Sequence, residues 1–228
     1  MFLTETHLHT AEGSACASAT GAQQAEQYKA LGYDTIIVTD HFMNGNTAVD
    51  RSLPWKEQVE QYCLGYENAK KRGDEIGLTV LFGIEYCWEA SDFLIYGVDK
   101  EWLLGYPDTM RVPVREFCDR VHVSGGCIVQ AHPFREAGYI SDIKLLPWHS
   151  DGVEVYNCGN SKEVFNDRAR WYAEQYGKTM TAGSDCHHVT GGGRFAGVYT
   201  NEKILTIADY VSAVKNGLIE GLKLPDGV

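Results

Sequence analysis

Five of the eight histidines come directly after short apolar or β-branched runs. His7 and His9 follow Phe2–Thr6, His41 follows Thr35–Thr39, His132 follows Gly126–Gln130, and His187 follows Thr179–Thr181. Each has polar neighbours, as in Thr39-Asp40-His41 and Ser184-Asp185-Cys186-His187, and Glu85 in Gly83-Ile84-Glu85-Tyr86 sets a carboxylate where the other runs set imidazoles. In extended backbone, residues i and i+2 point to the same side, so His7 and His9 can grip one cation while Leu8 faces the opposite wall. Asp185 and His187 repeat that spacing. Imidazoles mixed with carboxylates suit zinc, manganese or iron better than calcium, which prefers oxygen alone. More donors than one tetrahedral ion requires imply two or three divalent ions sharing carboxylate bridges. Such clusters activate water and clamp phosphate oxygens.

The elements that must position these residues alternate along the whole chain. Strands are expected at Phe2–Thr6, Thr35–Thr39, Leu78–Gly83, Phe93–Val98, Gly126–Gln130, Gly152–Val155 and Thr179–Thr181, with a weaker one near Val198–Thr200. Between them, helical spacing of apolar residues predicts helices over Gln24–Leu31, Trp55–Arg72, Pro113 to about Val123, a Phe165–Tyr176 stripe closed by Gly177, and Ile207–Lys215. Repeated strand-helix units of this kind predict an α/β fold around a largely parallel sheet, and seven or eight strands suit a barrel. The carboxyl ends of such strands open on one face, where ligands and catalytic groups collect. The segments 42–54 and 101–112 read as loops over that mouth.

With 228 residues, 44% hydrophobic and 22% charged, the chain has the composition of a globular protein, and one domain over 1–228 is expected. A formal net charge of -11 disfavours long nucleic acid as a partner. Seven scattered cysteines without a Cys-x-x-Cys pair argue against a disulfide framework and for a reducing, cytoplasmic setting. No apolar run reaches 18 residues and Met1–Thr10 has no basic leader, so no membrane association is expected.

The ordered set His-x-His, Thr-Asp-His, Gly-Ile-Glu, Ala-His-Pro and Ser-Asp-x-His, running from His7 to about Phe195, resembles the PHP family, the polymerase and histidinol phosphatase superfamily. The resemblance implies a distorted seven-stranded (β/α) barrel, TIM-barrel-like, with a trinuclear metal centre in its mouth, and metal-dependent phosphoester hydrolysis by a metal-activated water. Carried over by position, His7, His9, Glu85 and Asp185 surround one ion, Glu85 bridges to a second that His132 also holds, and His41 and His187 hold the third. The chain departs from the family twice. Ser14 stands where many members have an aspartate, which makes Glu12 the nearest substitute, and Asp92 stands where many have a histidine.

Family members supply arginines near the metals, and the matching candidates are Arg135 after His132-Pro133-Phe134 and Arg194 after Gly191-Gly192-Gly193. A guanidinium donates two parallel hydrogen bonds to phosphate. His132 or His187 is a candidate for carrying a proton to the leaving oxygen, and Asn157 falls at a strand end. Asp40 is expected to orient an imidazole, while His122, His149 and the cysteines Cys16 and Cys186, read as packing residues, are expected outside the chemistry. Hydrolysis of a small phosphorylated substrate is the first expectation. A 3′-5′ exonuclease or nucleotide phosphodiesterase, and a metal-binding module without catalysis, are the alternatives.

Overall fold

The computed structural model describes residues 1–189 and 193–225. Its strands are β1 (Phe2–Leu8), β2 (Thr35–Val38), β3 (Thr79–Trp88), β4 (Ser91–Tyr96), β5 (Cys127–Gln130), β6 (Gly152–Asn157), β7 (Thr179–Gly183), β8 (Gly197–Thr200) and β9 (Ile219–Lys223). The helices are α1 (Gly21–Ala30), α2 (Trp55–Ile76), α3 (Lys100–Gly105), α4 (Val114–Val123), α5 (Glu163–Tyr176) and α6 (Ile207–Lys215). They form one sheet in the order β7-β6-β5-β4-β3-β2-β1-β8-β9. The two ends of the β1–β7 run meet at their carboxyl termini, where Asp185 N donates to His7 O at 2.8 Å and His9 N to Cys186 O at 2.9 Å. The result is a nearly closed barrel with β8 and β9 laid along the outer side of β1.

The sheet therefore has nine strands among the described residues, where seven were expected. The weak Val198–Thr200 signal is a true strand that pairs antiparallel with both β1 and β9. The chain also reverses once inside the barrel. Glu89 and Ala90, with φ of 50° and 63°, make a two-residue turn that folds β4 back on β3, and β4 runs antiparallel to β5 as well. Positive φ at both central positions is the type I′ geometry that matches strand twist. Glu85 consequently lies within a ten-residue strand and not at its end, and part of the expected 101–112 loop is the helix α3.

The helices start and stop where backbone chemistry directs. Thr20 caps α1 with a capping box closed by Gln23, and Gly77 and Gly177 end α2 and α5 in the left-handed region. Phe165, Ala169, Tyr172 and Ala173 turn one face of α5 inward, and the last three pack with Val153 and Val155 of β6. The α1–α2 crossing depends on close backbone approach, since a Cβ on Gly21 would lie 2.1 Å from Gly65 O. No described helix is long and apolar enough to cross a membrane.

Candidate metal centre

The strand ends bring the five motif histidines, Glu85 and Asp185 together at one mouth. His7, His9, Glu85 and Asp185 are buried, and His132 is 6% exposed. Three sets offer ligand atoms within 4.8 Å of one another: His7, Glu85 and His132; His7, His9 and Asp185; and His9, His41 and His187. Glu85 joins them. Its Oε1 lies 3.3 Å from His7 Nε2 and 3.1 Å from His132 Nε2, while Oε2 lies 3.5 Å from His9 Nε2 and 2.5 Å from His41 Nδ1. Asp185 Oδ1 sits 3.2 Å from His9 Nε2, 3.6 Å from His7 Nε2 and 3.7 Å from His187 Nδ1.

Hydrogen bonds behind the cluster decide which way each imidazole faces. His7 Nδ1 lies 2.9 Å from Glu154 Oε1, a carboxylate that can only accept, so Nδ1 carries the proton and Nε2 presents a lone pair. His9 Nδ1 lies 2.9 Å from Ser14 Oγ. Because Ser14 donates its own proton to Asp40 Oδ1 at 2.7 Å, its oxygen must accept from His9, and His9 Nε2 is also a lone pair. These two Nε2 atoms face one another at 3.2 Å. Two lone pairs at that distance repel unless a cation or a proton lies between them. Glu85 Oε2, buried and lying between His41 Nδ1 at 2.5 Å and His9 Nε2 at 3.5 Å, adds a carboxylate to the same space. The donor set fits divalent ions.

The electrostatics agree with that reading. Burial opposes charge on His7, yet the carboxylates of Glu154, Asp185 and Glu85 outweigh it and hold His7 well above its ordinary value. His41 is pushed up to about 11, against burial, chiefly by Glu85. Burial, with His41 and His187 nearby, holds His9 well below. Glu85 stays well below the usual carboxylate range despite burial, through His41 and His7, and Asp185 does the same through His7 and Arg135. Protons on His7 and His41 thus stand where ions would.

His132 and Asp185 carry φ of 28° and 51°, a left-handed conformation uncommon for residues other than glycine. Strain of this kind concentrates at functional sites, where surrounding bonds over-determine it. His132 N is tied to Glu154 Oε2 at 3.0 Å, and Asp185 N to His7 O. Close packing adds to the constraint: a Cβ on Gly183 would lie 2.5 Å from both Glu154 Oε1 and His7 Cβ.

Several expected residues stand elsewhere. Glu12 is not brought to the cluster; its carboxylate accepts from Gly21 N at 3.0 Å and Asn68 Nδ2 at 3.0 Å, because the free N–H groups at the start of α1 attract an anion. Asp92 reaches the edge, with Oδ2 4.0 Å from His132 Nε2, and burial followed by Glu85 pushes its carboxyl up. Asp40 acts on His9 through Ser14. His122 bonds Asp151 Oδ2 at 2.9 Å and His188 bonds Ser18 Oγ at 2.8 Å, both away from the centre.

Arg135 and Arg194 line separate hollows. Arg135 edges one of about 580 Å³ with Asp92, His132 and Tyr139, held by Asp185 Oδ2 and Asn157 Oδ1 at 2.7 Å each and by Asn160 Oδ1 at 3.0 Å. Its Nη1 makes no hydrogen bond among the described residues. Arg194 lies over the Tyr156 ring, donates to its hydroxyl, and edges an adjoining hollow of about 520 Å³ that shares Cys16, Asp185 and His187 with the first. Gly191 and Gly192 of its glycine run lie outside the described residues. A larger hollow of about 630 Å³ contains none of these groups; it lies along the amino-terminal half of β3, beside Lys70 and Leu205.

Sequence reasoning missed two residues, and it read a third, Cys16, as a buried packing residue where the structure exposes it beside two histidines. Glu154 holds His7, His132 and Asn157 at once, the last through Nδ2 at 2.8 Å. Buried Glu5, pushed up to about 7 by burial against donors from Ser184 and His7, accepts from Thr6 N, His7 N and Ser184 N at 2.8–3.0 Å and so staples β1 to the turn after β7. Cys16 contacts His41 and His187, whose hydrogen bonds draw its thiol down to about 6 although burial opposes this. A strand glutamate on the same side as the ligands, as Glu5 and Glu154 are, is the signal that could have found the first two.

Comparisons with known proteins bear on this mouth. Residues 164–218 match the model of a PHP-associated family. A 5′-3′ exoribonuclease of Haemophilus influenzae is 32% identical over 80 residues, covering 32% of this chain and 28% of that protein. The fold is similar to a two-domain protein from Bacteroides vulgatus containing a predicted PHP-like metal-dependent phosphoesterase, at TM-score 0.71 and 15% identity, over 98% of this chain and 65% of that one. It is also similar to a candidate metal-dependent phosphoesterase from Bifidobacterium adolescentis, at TM-score 0.58 and 16% identity, over 92% and 95% of the two chains. The chain thus spans just under two thirds of the first structure and matches less than a third of the curated relative. At these identities the structural likeness speaks for the fold, and the family match covers residues 164–218, from α5 to the start of the last strand.

Proposed function

We propose that the chain is a metal-dependent phosphoesterase acting on a phosphate ester of a small molecule. The observation that carries this reading is the pair of imidazole nitrogens, His7 Nε2 and His9 Nε2, facing one another beside the buried Glu85 carboxylate, at the foot of a hollow edged by an arginine. His7, His9, Glu85 and Asp185 would hold one ion, Glu85 and His132 a second, and His41 and His187 a third, with Asp92 at the margin. Divalent ions there supply Lewis-acid stabilisation of phosphoryl oxygens and water of lowered pKa.

The chain's own groups do the rest. Arg135 is fixed on one side by Asp185, Asn157 and Asn160, so its Nη1 can donate to an equatorial phosphate oxygen without prior ordering. Arg194, in the adjoining hollow, would contact a second anionic or polar part of the substrate. His187 Nδ1 donates to Asp185 O at 2.8 Å, which leaves one nitrogen for an ion and none for proton transfer. His132 Nε2 is turned to Glu85. We therefore assign both histidines to ion binding, and protonation of the leaving oxygen to water entering through the open mouth.

The exoribonuclease relative favours a second reading, cleavage of a nucleotide diester; its stated polarity is 5′-3′, opposite to the 3′-5′ expectation. A panel of phosphomonoesters and short 5′-phosphorylated RNA, assayed after reconstitution with manganese or zinc, separates the two. Wild type should turn over monoesters and His9→Ala should not. Absence of metal-dependent turnover on both classes would overturn the proposal.

A further inference from the structure

We propose that Cys16 Sγ is an ion ligand of this centre, completing with His41 and His187 the position at its rim. The inference rests on reading the mouth as a metal centre, and it concerns a residue outside every motif named above.

Geometry comes first. His9, His41 and His187 converge, with ring centroids 4.4 Å apart for His9 and His41 and 4.1 Å for His9 and His187. Cys16 makes side-chain contact with both rim histidines. Its loop is anchored to the same place: Ser18 N donates to His187 O at 2.9 Å, and Ala15 N to Asn46 O at 2.9 Å. Cys16 also lines both hollows that meet at the centre.

Charge comes second. An ion held by His41 and His187 gains most from an anionic ligand, and the nearby candidates are committed. Ser14, at the position where the family resemblance expects a carboxylate, is occupied by His9 Nδ1, Asp40 and His41 N, the last at 3.0 Å. Glu12 is bound to the start of α1, and Asp92 lies on the His132 side. Glu85 Oε2, buried, is already engaged by His41 Nδ1 at 2.5 Å. A thiolate supplies the missing negative charge. Ligation releases the thiol proton to solvent, and sulfur beside imidazole selects zinc, cobalt or iron over magnesium and manganese.

Cobalt(II) titration of the metal-free full chain tests this, because d–d bands in the visible report any occupied site and a near-ultraviolet charge-transfer band reports sulfur ligation. Wild type should show both. Cys16→Ser should keep visible bands, lose the near-ultraviolet band and bind its weakest cobalt equivalent at least about tenfold less tightly; Cys186→Ser should keep both. Visible bands without the near-ultraviolet band in wild type, or its loss in Cys186→Ser alone, would overturn the role of Cys16 and leave the metal centre standing. No visible bands at any cobalt concentration would overturn the metal centre itself. Alkylation of wild type by iodoacetamide, mapped by mass spectrometry, needs no variant. Zinc should slow modification of Cys16 at least about tenfold, and an unchanged rate refutes the assignment.

Discussion

Replacing Glu154 by glutamine changes neither size nor shape, so its effect isolates what the carboxylate does. Both Glu154 oxygens accept: Oε1 from His7 Nδ1, and Oε2 from His132 N and Asn157 Nδ2. An amide can reproduce only one side. With its oxygen toward His7, its NH₂ faces two buried donors, at about 1–3 kcal/mol for each acceptor lost, or about 2–6 kcal/mol of stability. With its nitrogen toward His7, the imidazole must accept there and carry its proton on Nε2, aimed at His9 across 3.2 Å, where an ion would bind. Either way metal affinity should fall about 10- to 100-fold, the usual cost of losing a carboxylate that orients a ligating imidazole. Chelator-competition titration and urea denaturation of the metal-free protein read the two effects separately. If Glu154→Gln stays within about twofold in metal affinity and about 0.5 kcal/mol in stability, Glu154 does not set the His7 tautomer and the orientation argument fails.

Ser14→Ala should strand the His9 Nδ1–H and His41 N–H donors and cost about 1–3 kcal/mol in urea denaturation; a neutral result would show that another group takes over its role. Gly183→Ala forces a Cβ to 2.5 Å from Glu154 Oε1 and His7 Cβ, and overpacking of this kind should lower stability by about 1–3 kcal/mol with a matching loss of metal affinity. The metal-free protein should lose stability as pH rises from 6.5 toward about 11, because folded His41 keeps a proton that the unfolded chain has released. Metal affinity should move the other way and rise with pH, as each ion must displace protons from His7 and His41. Calorimetry in two buffers of different ionisation enthalpy measures the protons released, and zero release would refute the charge assignment.

The five histidines were legible because residue type and position after an apolar run coincide, and that coincidence depends on strand ends, which periodicity finds well. The reversal at β4 was not, because Glu89-Ala90 lacks the asparagine or glycine that usually announces a type I′ turn. Glu154 alternates with apolar Val153 and Val155 just as a solvent-facing strand residue does, and Glu5 sits between two threonines, so only the barrel interior, unknown from sequence, reveals that both are buried. Glu12 misled for a similar reason. A carboxylate three residues after a histidine motif suits a ligand, but the bare N–H groups at Gly21, nine residues on, hold it instead. The left-handed φ at His132 and Asp185 has no sequence signal at all.

Substitution of Ser14 for the expected carboxylate reads, from the sequence, as a loss. Its surroundings give it a different meaning. A carboxylate at that position would lie beside Asp40, which already accepts from Thr10 N and Thr10 Oγ1 at 2.6 Å each and has its own carboxyl pushed up to about 6 by burial. Two buried carboxylates in contact repel unless an ion or proton sits between them. The hydroxyl avoids that conflict: it donates to Asp40, accepts from His9 and His41 N, and so fixes His9 with its lone pair toward the centre. The negative charge that the rim then lacks lies two residues further on, at Cys16, on a loop whose backbone is bonded to His187. The departure is better understood as a transfer of function from a carboxylate to a hydroxyl and a thiol, and it accounts for why the histidine framework at this mouth is intact around it.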